Sequence, residues 1–269
     1  MKIKAAALQF SVRVQEKDNN IAKALTLLEQ AAAAGAQVAV LPELWNTGFD
    51  IAHLDQAAEE LSGPSVSRLR QSAARLGLTV AGGSIIEKKQ GLYYNTSVLL
   101  DRNGSLAAKY RKAHLFTYGW REHDYFAPGD EWQISPLPGG EGLLLGMSVC
   151  YDLRFPEFFR NLALRGAGLF SAPAAWPLAR AEEYRLFCRA RAAENRAYLI
   201  SANWADSGDG EYGGGSLIAD PYGRILAQCG AGEGLALAEL DTELLRGGLT
   251  FNPLADRRQF LDEIDNNLI

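Results

Sequence analysis

The chain has 269 residues, 48% of them hydrophobic and 22% charged, with a formal net charge of -5. That composition supplies a sizeable apolar core and argues against disorder, and the length suits one large α/β domain. The acidic balance, without a dense Lys/Arg run, argues against a nucleic-acid footprint, so a small-molecule partner is expected.

Three cysteines, Cys150, Cys188 and Cys229, are widely spaced, odd in number and free of CxxC pairing. The pattern suits neither a disulfide framework nor a zinc site and points to a reducing, cytoplasmic setting. The opening MKIKAAALQFSV soon meets Arg13, Glu16, Lys17 and Asp18, without a signal-peptide pattern. No later run approaches the roughly 20 apolar residues of a membrane helix, so no membrane association is expected.

In chain order, residues 3–10 read as a strand, and Asp18 as the cap of a helix carrying Ile21, Leu25, Leu28 and Ala31 before Gly35 stops it. The run QVAVL at 37–41 is too short for a helix and reads as a strand covered on both faces, with Glu43 just past its end. Pro64 opens a helix to about Arg75. Strands at 79–86 and 92–100 follow, joined by a turn at 88–91, and Asn103-Gly104 turns the chain into a further strand at 105–110.

Beyond Lys112 an aromatic, polar loop extends to Asp130, followed by a strand at 143–149 and a helix with Pro156 and Glu157 in its first turn. The alternation continues with a strand near Leu169, a helix at 181–195, a strand at 198–202, and strands near 216–219 and 235–240. No linker, low-complexity tract or fixed-period repeat interrupts it. The expectation is one mixed α/β domain, with a core over about residues 1–240, a weakly periodic C-terminal extension at 241–269, and a mixed sheet covered by helices.

Cys150 follows a buried strand and precedes a turn into a helix, where a side chain is presented at the sheet's carboxyl edge near free amide protons. Thiolate is the reactive form, and an ordinary pKa of about 8.5 leaves little of it at neutral pH without a base or cation nearby. Taken alone, such a cysteine is more readily a small core hydrophobe, and Cys188 and Cys229 are assigned to packing or surface. Glu43 belongs on the same kind of edge and could take the thiol proton; a solvated loop glutamate or structural ion pair is the plainer alternative. Lys112, in KYRKAHLF, reads by itself as a surface cation. His53, His114 and His123 carry no flanking motif of a papain-like Cys-His pair, and His114 reads as readily as a satisfied core histidine.

The segments LPELWNTGF, KYRKAHLF and GMSVCYDLRFPE occur in that order, and together they resemble the nitrilase (carbon-nitrogen hydrolase) superfamily. The resemblance extends through GGS at 82–84, YYNTS at 93–97, PGD at 128–130 and PAAWP at 173–177, and covers the chain from Met1 to about Leu240. It implies an αββα sandwich with a mixed β-sheet core, formed when two subunits pack helices together, and hence a homodimer or larger homo-oligomer. It puts the nucleophile at Cys150, the general base at Glu43, the lysine at Lys112 and a second glutamate at Glu122 in GWREHDYFAPGD. The backbone N–H of Tyr151 is a natural additional oxyanion donor at a strand-to-helix turn.

With no HExxH, no CxxC and three histidines, neither a metal ion nor another cofactor is expected. The Tyr after the cysteine in CYDLRFPE resembles the omega-amidase and deaminated-glutathione amidase branch, whereas true nitrilases carry Trp there. An amide is therefore implied over a nitrile. Substrates of that branch pair a carboxamide with a carboxylate, and Arg154 offers a bidentate partner for the anion; an ion pair with Asp152 or Glu157 is its structural alternative. Two other readings stay open: N-carbamoyl amide hydrolysis by the same three residues, and a catalytically silent scaffold or binding module.

Overall fold

The structure is a computed structural model and describes residues 1–118, 121–246 and 254. Its first sheet is built from β1 (Lys2–Gln9), β2 (Val38–Val40), β3 (Thr79–Lys89), β4 (Leu92–Leu100) and β5 (Leu106–Arg111). A second is built from β6 (Ile134–Pro136), β7 (Leu144–Met147), β8 (Ala167–Pro173), β9 (Tyr198–Ala202), β10 (Leu217–Ala219) and β11 (Ile225–Gln228), after which β12 (Gly234–Asp241) returns to the edge of the first. The strand orders are β12-β1-β2-β3-β4-β5 and β11-β10-β9-β8-β7-β6. The helices are α1 (Lys17–Ala33), α2 (Leu54–Ala57), α3 (Pro64–Leu76), α4 (Pro156–Leu164), α5 (Ala181–Asn195) and α6 (Glu243–Arg246).

Period-two alternation in the strands decides the layering. In β1, Ile3, Ala5 and Ala7 join the core between the sheets, while Ala6 and Leu8 face the other way into a cluster with Ile21, Leu28, Leu69 and Ala73 of α1 and α3. Val38 and Val40 of β2 point inward and Ala39 outward in the same manner. On the second sheet, Phe158 and Leu162 of α4 and Tyr184 and Cys188 of α5 pack against β7, β8 and β9. The order is thus helix, sheet, sheet, helix, the αββα sandwich that the resemblance implies.

Both sheets come from one chain, which corrects two expectations at once. The single helix-covered sheet is in fact two, and the sandwich is complete within a protomer rather than assembled by packing two subunits. Periodicity tells which face of a strand is buried but not which neighbour buries it. Two smaller corrections concern ends. Asp18 does not cap α1: the N-cap position is Glu16, without a side-chain cap hydrogen bond, and Asp18 lies in the first turn with its carboxylate 3.3 Å from Arg68. The turn expected over 88–91 is tighter, because β3 and β4 stay paired to Lys89 and Leu92, and only Gln90 and Gly91, both at positive φ, make the bend. The C-terminal extension beyond residue 246 lies outside the described residues, apart from Leu254.

What matters for chemistry is direction. β1, β2 and β3 run parallel, as do β7, β8 and β9, and β5 is antiparallel to β4, which is antiparallel to β3. The chain segments leaving β2, β5, β7 and β8 therefore all start at carboxyl ends, where sheets of this kind gather their functional side chains.

Candidate active site

Glu43 is held in a turn that the backbone enters under constraint. Leu44, immediately after it, sits at φ 40°, and its N–H donates to Ser84 Oγ at 2.9 Å. Gly83 has φ 59°, and a Cβ there would stand 2.0 Å from the Pro42 carbonyl, so only glycine allows β3 to approach this closely. The GGS segment is thus the cradle of the Glu43 turn, completed by Trp45 Nε1 donating to the Gly82 carbonyl at 2.8 Å. The Glu43 carboxylate, fully buried, accepts from Asn95 Nδ2 at 2.8 Å, Lys112 Nζ at 2.8 Å and the Ala175 N–H at 3.1 Å.

Lys112 leaves the end of β5 and is 2% exposed. Its ammonium lies 2.8 Å from Glu43 Oε1 and within 2.9 Å of both carboxylate oxygens of Glu122. Glu122 is fixed in turn by the Phe116 N–H at 2.6 Å, and its own N–H donates to the Phe116 carbonyl at 2.7 Å. Burial alone would lower the lysine's pKa, but Glu122, Glu43 and Cys150 beside it raise it above the ordinary value, so the group is an ammonium across the usable pH range. Burial lifts the Glu122 carboxyl above its ordinary range, Lys112 opposes the lift and Glu43 adds to it.

Cys150 opens a 3₁₀ turn, Cys150–Arg154, at φ 48°. A side chain at positive φ is costly and needs support from its surroundings. Asp152 supplies it: the fully buried carboxylate accepts from the Val149 N–H at 2.8 Å, Tyr110 Oη at 2.8 Å, the His114 N–H at 3.2 Å and His114 Nδ1 at 2.8 Å. His114 stacks on Phe155 with ring centroids 3.7 Å apart, so it belongs to the scaffold under the turn rather than beside the sulfur. Burial and then the Glu43 carboxylate push the Cys150 thiol well above its ordinary range, while Lys112 and the Ala175 N–H pull the other way. The resting group is a thiol, and a base must take its proton.

Glu43, Lys112, Glu122, Cys150 and Tyr151 line one cavity of about 280 Å³, closed on its other sides by Phe49, Phe116, Trp176 and Tyr212 among others. That volume suits a metabolite rather than a polymer. The structure therefore brings together the four acidic, basic and thiol side chains singled out in the sequence. Arg154 also lines the cavity, yet its guanidinium is engaged 2.5 Å away by Glu183, a partner different from both Asp152 and Glu157. His53 pairs with Asp50 and His123 with Asp124, both away from the thiol's cavity lining, while Cys188 is buried in α5 and Cys229 half-buried.

Sequence reasoning gave no site role to Asn95, and considered Asp152 only as a partner for Arg154, although both lie inside the motifs quoted. Asn95 Nδ2 reaches Glu43 at 2.8 Å and Glu122 at 3.5 Å, bridging the two carboxylates. The available signal was a polar, amide-bearing residue in the inward-facing register of a strand next to the lysine. For Asp152 the signal was weaker, since an acid a few residues past a strand end reads equally well as a surface group.

Comparison with known proteins agrees with this geometry. The family model described as carbon-nitrogen hydrolase matches residues 4–247. The chain is 38% identical over 244 residues to a 2-oxoglutaramate amidase of Bacillus subtilis (strain 168), covering 90% of this chain and 92% of that protein. It superposes with a TM-score of 0.87 on XC1258 from Xanthomonas campestris, a CN-hydrolase superfamily protein with an arsenic adduct in its active site, at 29% identity over 97% of this chain and 99% of the other. It superposes with a TM-score of 0.81 on a variant of the amidase from Nesterenkonia sp. AN1 that carries the acetamide moiety of fluoroacetamide on its active-site cysteine, at 28% identity over 95% and 94% of the two chains. A family match that runs from the first strand past the last, on a fold that gathers a buried Glu, Lys and Cys, leaves one assignment: the chain belongs to the carbon-nitrogen hydrolase family.

Proposed function

We propose that the chain is an amidase of the omega type, which hydrolyses the carboxamide of a small carboxylate-bearing substrate such as 2-oxoglutaramate to the acid and ammonia. The observation that carries the reading is the meeting of Glu43, Lys112 and Cys150 in one cavity, with Lys112 Nζ 2.8 Å from Glu43. The substrate class is supported by the 38% identity to a 2-oxoglutaramate amidase.

In this mechanism Glu43 takes the thiol proton as Cys150 Sγ forms a bond to the amide carbon. The carbonyl π electrons move to oxygen, and the resulting oxyanion is held by the Lys112 ammonium, already fixed between two carboxylates, and by the Tyr151 N–H. Collapse breaks the C–N bond, Glu43 returns the proton to nitrogen, and ammonia leaves a Cys150 thioester. Glu43 then draws a proton from water, whose oxygen attacks the thioester; a second collapse releases the acid and restores the thiol. Glu122 keeps Lys112 in place between two carboxylates. Protons and charge balance through Glu43 alone, and no histidine is needed.

We propose in addition a cytoplasmic location, supported by three free cysteines; among the described residues no helix is long and apolar enough to cross a membrane. We propose that the enzyme works as a homodimer or larger homo-oligomer. Leu164 of α4 and Leu186 of α5, 42% and 60% exposed on the outer helical layer, are apolar groups that such packing would cover.

The test is ammonia release from 2-oxoglutaramate, set beside N-carbamoyl-β-alanine and a neutral alkyl amide, with Cys150→Ala protein as blank. Turnover of the oxo acid amide well above the other two is expected. Preference for the carbamoyl compound would replace the reading with its sister reaction, and silence on all three would remove it.

A further inference from the structure

Two arginines face the cavity that holds Cys150, and their surroundings differ. Arg154 is paired with Glu183 at 2.5 Å and packed against the Trp176 and Phe187 rings at 5.0 and 5.2 Å. A substrate carboxylate arriving there would have to displace a carboxylate already in contact. Arg180 lines the same cavity, is half-buried, and among the described residues its guanidinium has neither a hydrogen bond nor an ion pair; its cationic contact is the face of Tyr118 at 5.9 Å.

The charges around Arg180 are accounted for without it. In the first turn of α5, Glu182 pairs with Arg185 and Glu183 with Arg154. Glu43 and Glu122, also in the cavity lining, are satisfied by Lys112. Glu211 is the remaining acid of the lining; it is exposed and forms no ion pair with Arg180 among the described residues. A guanidinium left without an anion on the wall of a mostly apolar cavity is poised for one that arrives with the substrate, because its planar fork matches a carboxylate and it is always charged.

The segment that carries Arg180 is built for placement. Residues 178–180 form a 3₁₀ turn that runs into α5. Trp176 Nε1 donates to the Arg180 carbonyl at 3.0 Å. Asn203 clamps Trp176 on both sides, accepting from its N–H at 2.6 Å and donating to its carbonyl at 3.2 Å. The same stretch begins with Ala175, whose N–H binds Glu43 at 3.1 Å, so one short segment ties the position of Arg180 to the reacting end.

We infer that Arg180, rather than Arg154, is the residue that binds the substrate's carboxylate and sets the preference for acid-bearing amides. The inference rests on the omega-amidase reading, and it assigns Arg154 to holding the Trp176 wall. The ligand class follows from the chemistry: a short dicarboxylic acid monoamide, with the amide carbon at Cys150 Sγ and the free carboxylate at the Arg180 fork.

The experiment compares kcat/KM for 2-oxoglutaramate with that for pentanamide, a neutral amide of similar length, in the wild-type enzyme and in Arg180→Gln, Arg180→Lys and Arg154→Gln, each first shown to melt like the wild type. For Arg180→Gln the ratio of the two should fall by roughly 30- to 100-fold, the scale of one charge-assisted bidentate contact, with the loss appearing in KM more than in kcat. Arg180→Lys should recover part of it, since charge returns without the fork. Arg154→Gln should depress both substrates in similar proportion and leave the ratio near that of the wild type. A wild-type enzyme without preference for the acid-bearing amide would remove the omega-amidase reading itself. A wild-type preference that survives Arg180→Gln, or that collapses in Arg154→Gln instead, would overturn the inference alone.

Discussion

Lys112 and Glu43 meet at 2.8 Å although 69 positions of chain separate them. The pair is buried, and the same ammonium also serves Glu122, so one buried cation faces two buried carboxylates. A buried charge whose partner is removed costs far more than the pair contributes when intact. In the proposed mechanism, function and folding are therefore coupled through a single nitrogen.

Lys112→Met keeps much of the side chain's length and deletes the charge. Loss of a fixed oxyanion donor should lower kcat by roughly 10²- to 10³-fold. Two carboxylates would then be left with Asn95 and backbone donors alone, so stability should fall by about 3 to 5 kcal/mol as well. Steady-state kinetics below the variant's melting range, together with urea unfolding, separate the two effects. A variant of near-normal kcat would show that Lys112 holds the fold and not the transition state.

Cys150→Ala and Glu43→Gln should differ in kind. Alanine removes the covalent route, and turnover should drop to background. Glutamine keeps the shape but cannot move a proton, at a cost of about 10²- to 10⁴-fold in kcat. Intact-protein mass spectrometry after mixing with substrate should find acyl adduct on wild-type protein and none on Cys150→Ala. An adduct on the alanine variant would move the nucleophile elsewhere.

The strands that hold these residues were legible because each is a compact apolar run with a polar residue just beyond it: QVAVL before Glu43, and residues 143–149 before Cys150. Two edge strands were not. β6 is three residues long and ends in Pro136, and β11 alternates half-buried with exposed side chains over four. Strands so short carry no period, and proline at an edge reads as loop. The proposed catalytic positions could be read from motif resemblance, but their contacts could not, because a hydrogen bond across 52 residues, such as Asn95 to Glu43, leaves no local trace. Arg154 and Arg180 show the same limit from the other side: both are arginines near the site, and only the position of Glu183 distinguishes them.

Glu87 gives a pH dependence away from the active site. Its carboxylate is 3% exposed and receives Arg111 Nε at 2.8 Å, Arg111 Nη2 at 3.1 Å and Thr96 Oγ1 at 2.7 Å. Burial opposes ionisation, but Arg111 and Thr96 outweigh it and hold the carboxyl below its ordinary value of 4.5. A lowered folded-state pKa contributes stability that is present above the unfolded value and is lost as pH falls through the folded one. Glu87→Gln should therefore melt below wild type at pH 7, and the gap should narrow on acidification below about pH 4.5. Melting curves from pH 7 to pH 3 decide it, and a gap that widens in acid would contradict the assignment.

Asp152 is the residue whose loss should separate placement of the nucleophile from its chemistry. It touches neither the thiol nor, in the proposed reaction, the substrate, but its carboxylate gathers Val149, Tyr110 and His114 beneath the turn that holds Cys150 at φ 48°. Four donors converge on an acceptor-only group. Asn fills the same volume, yet its amide end presents two donors to neighbours that are donors themselves, so at least one buried group is left unpaired. Asp152→Asn should cost about 2 to 4 kcal/mol of stability on the scale of a broken buried network. The turn should relax from its strained backbone, and kcat should fall by roughly 10- to 100-fold through misplacement of the sulfur, while KM changes little because the cavity walls at Trp176 and Phe116 are untouched. The thiol should also be alkylated by iodoacetamide at an altered rate, a readout that loss of stability alone would not move well below the melting range. A folded Asp152→Asn enzyme with wild-type kcat and wild-type alkylation would mean that the turn holds its shape without the carboxylate, and that the strain at Cys150 is supported by packing of Phe155 and Phe158 against His114 instead.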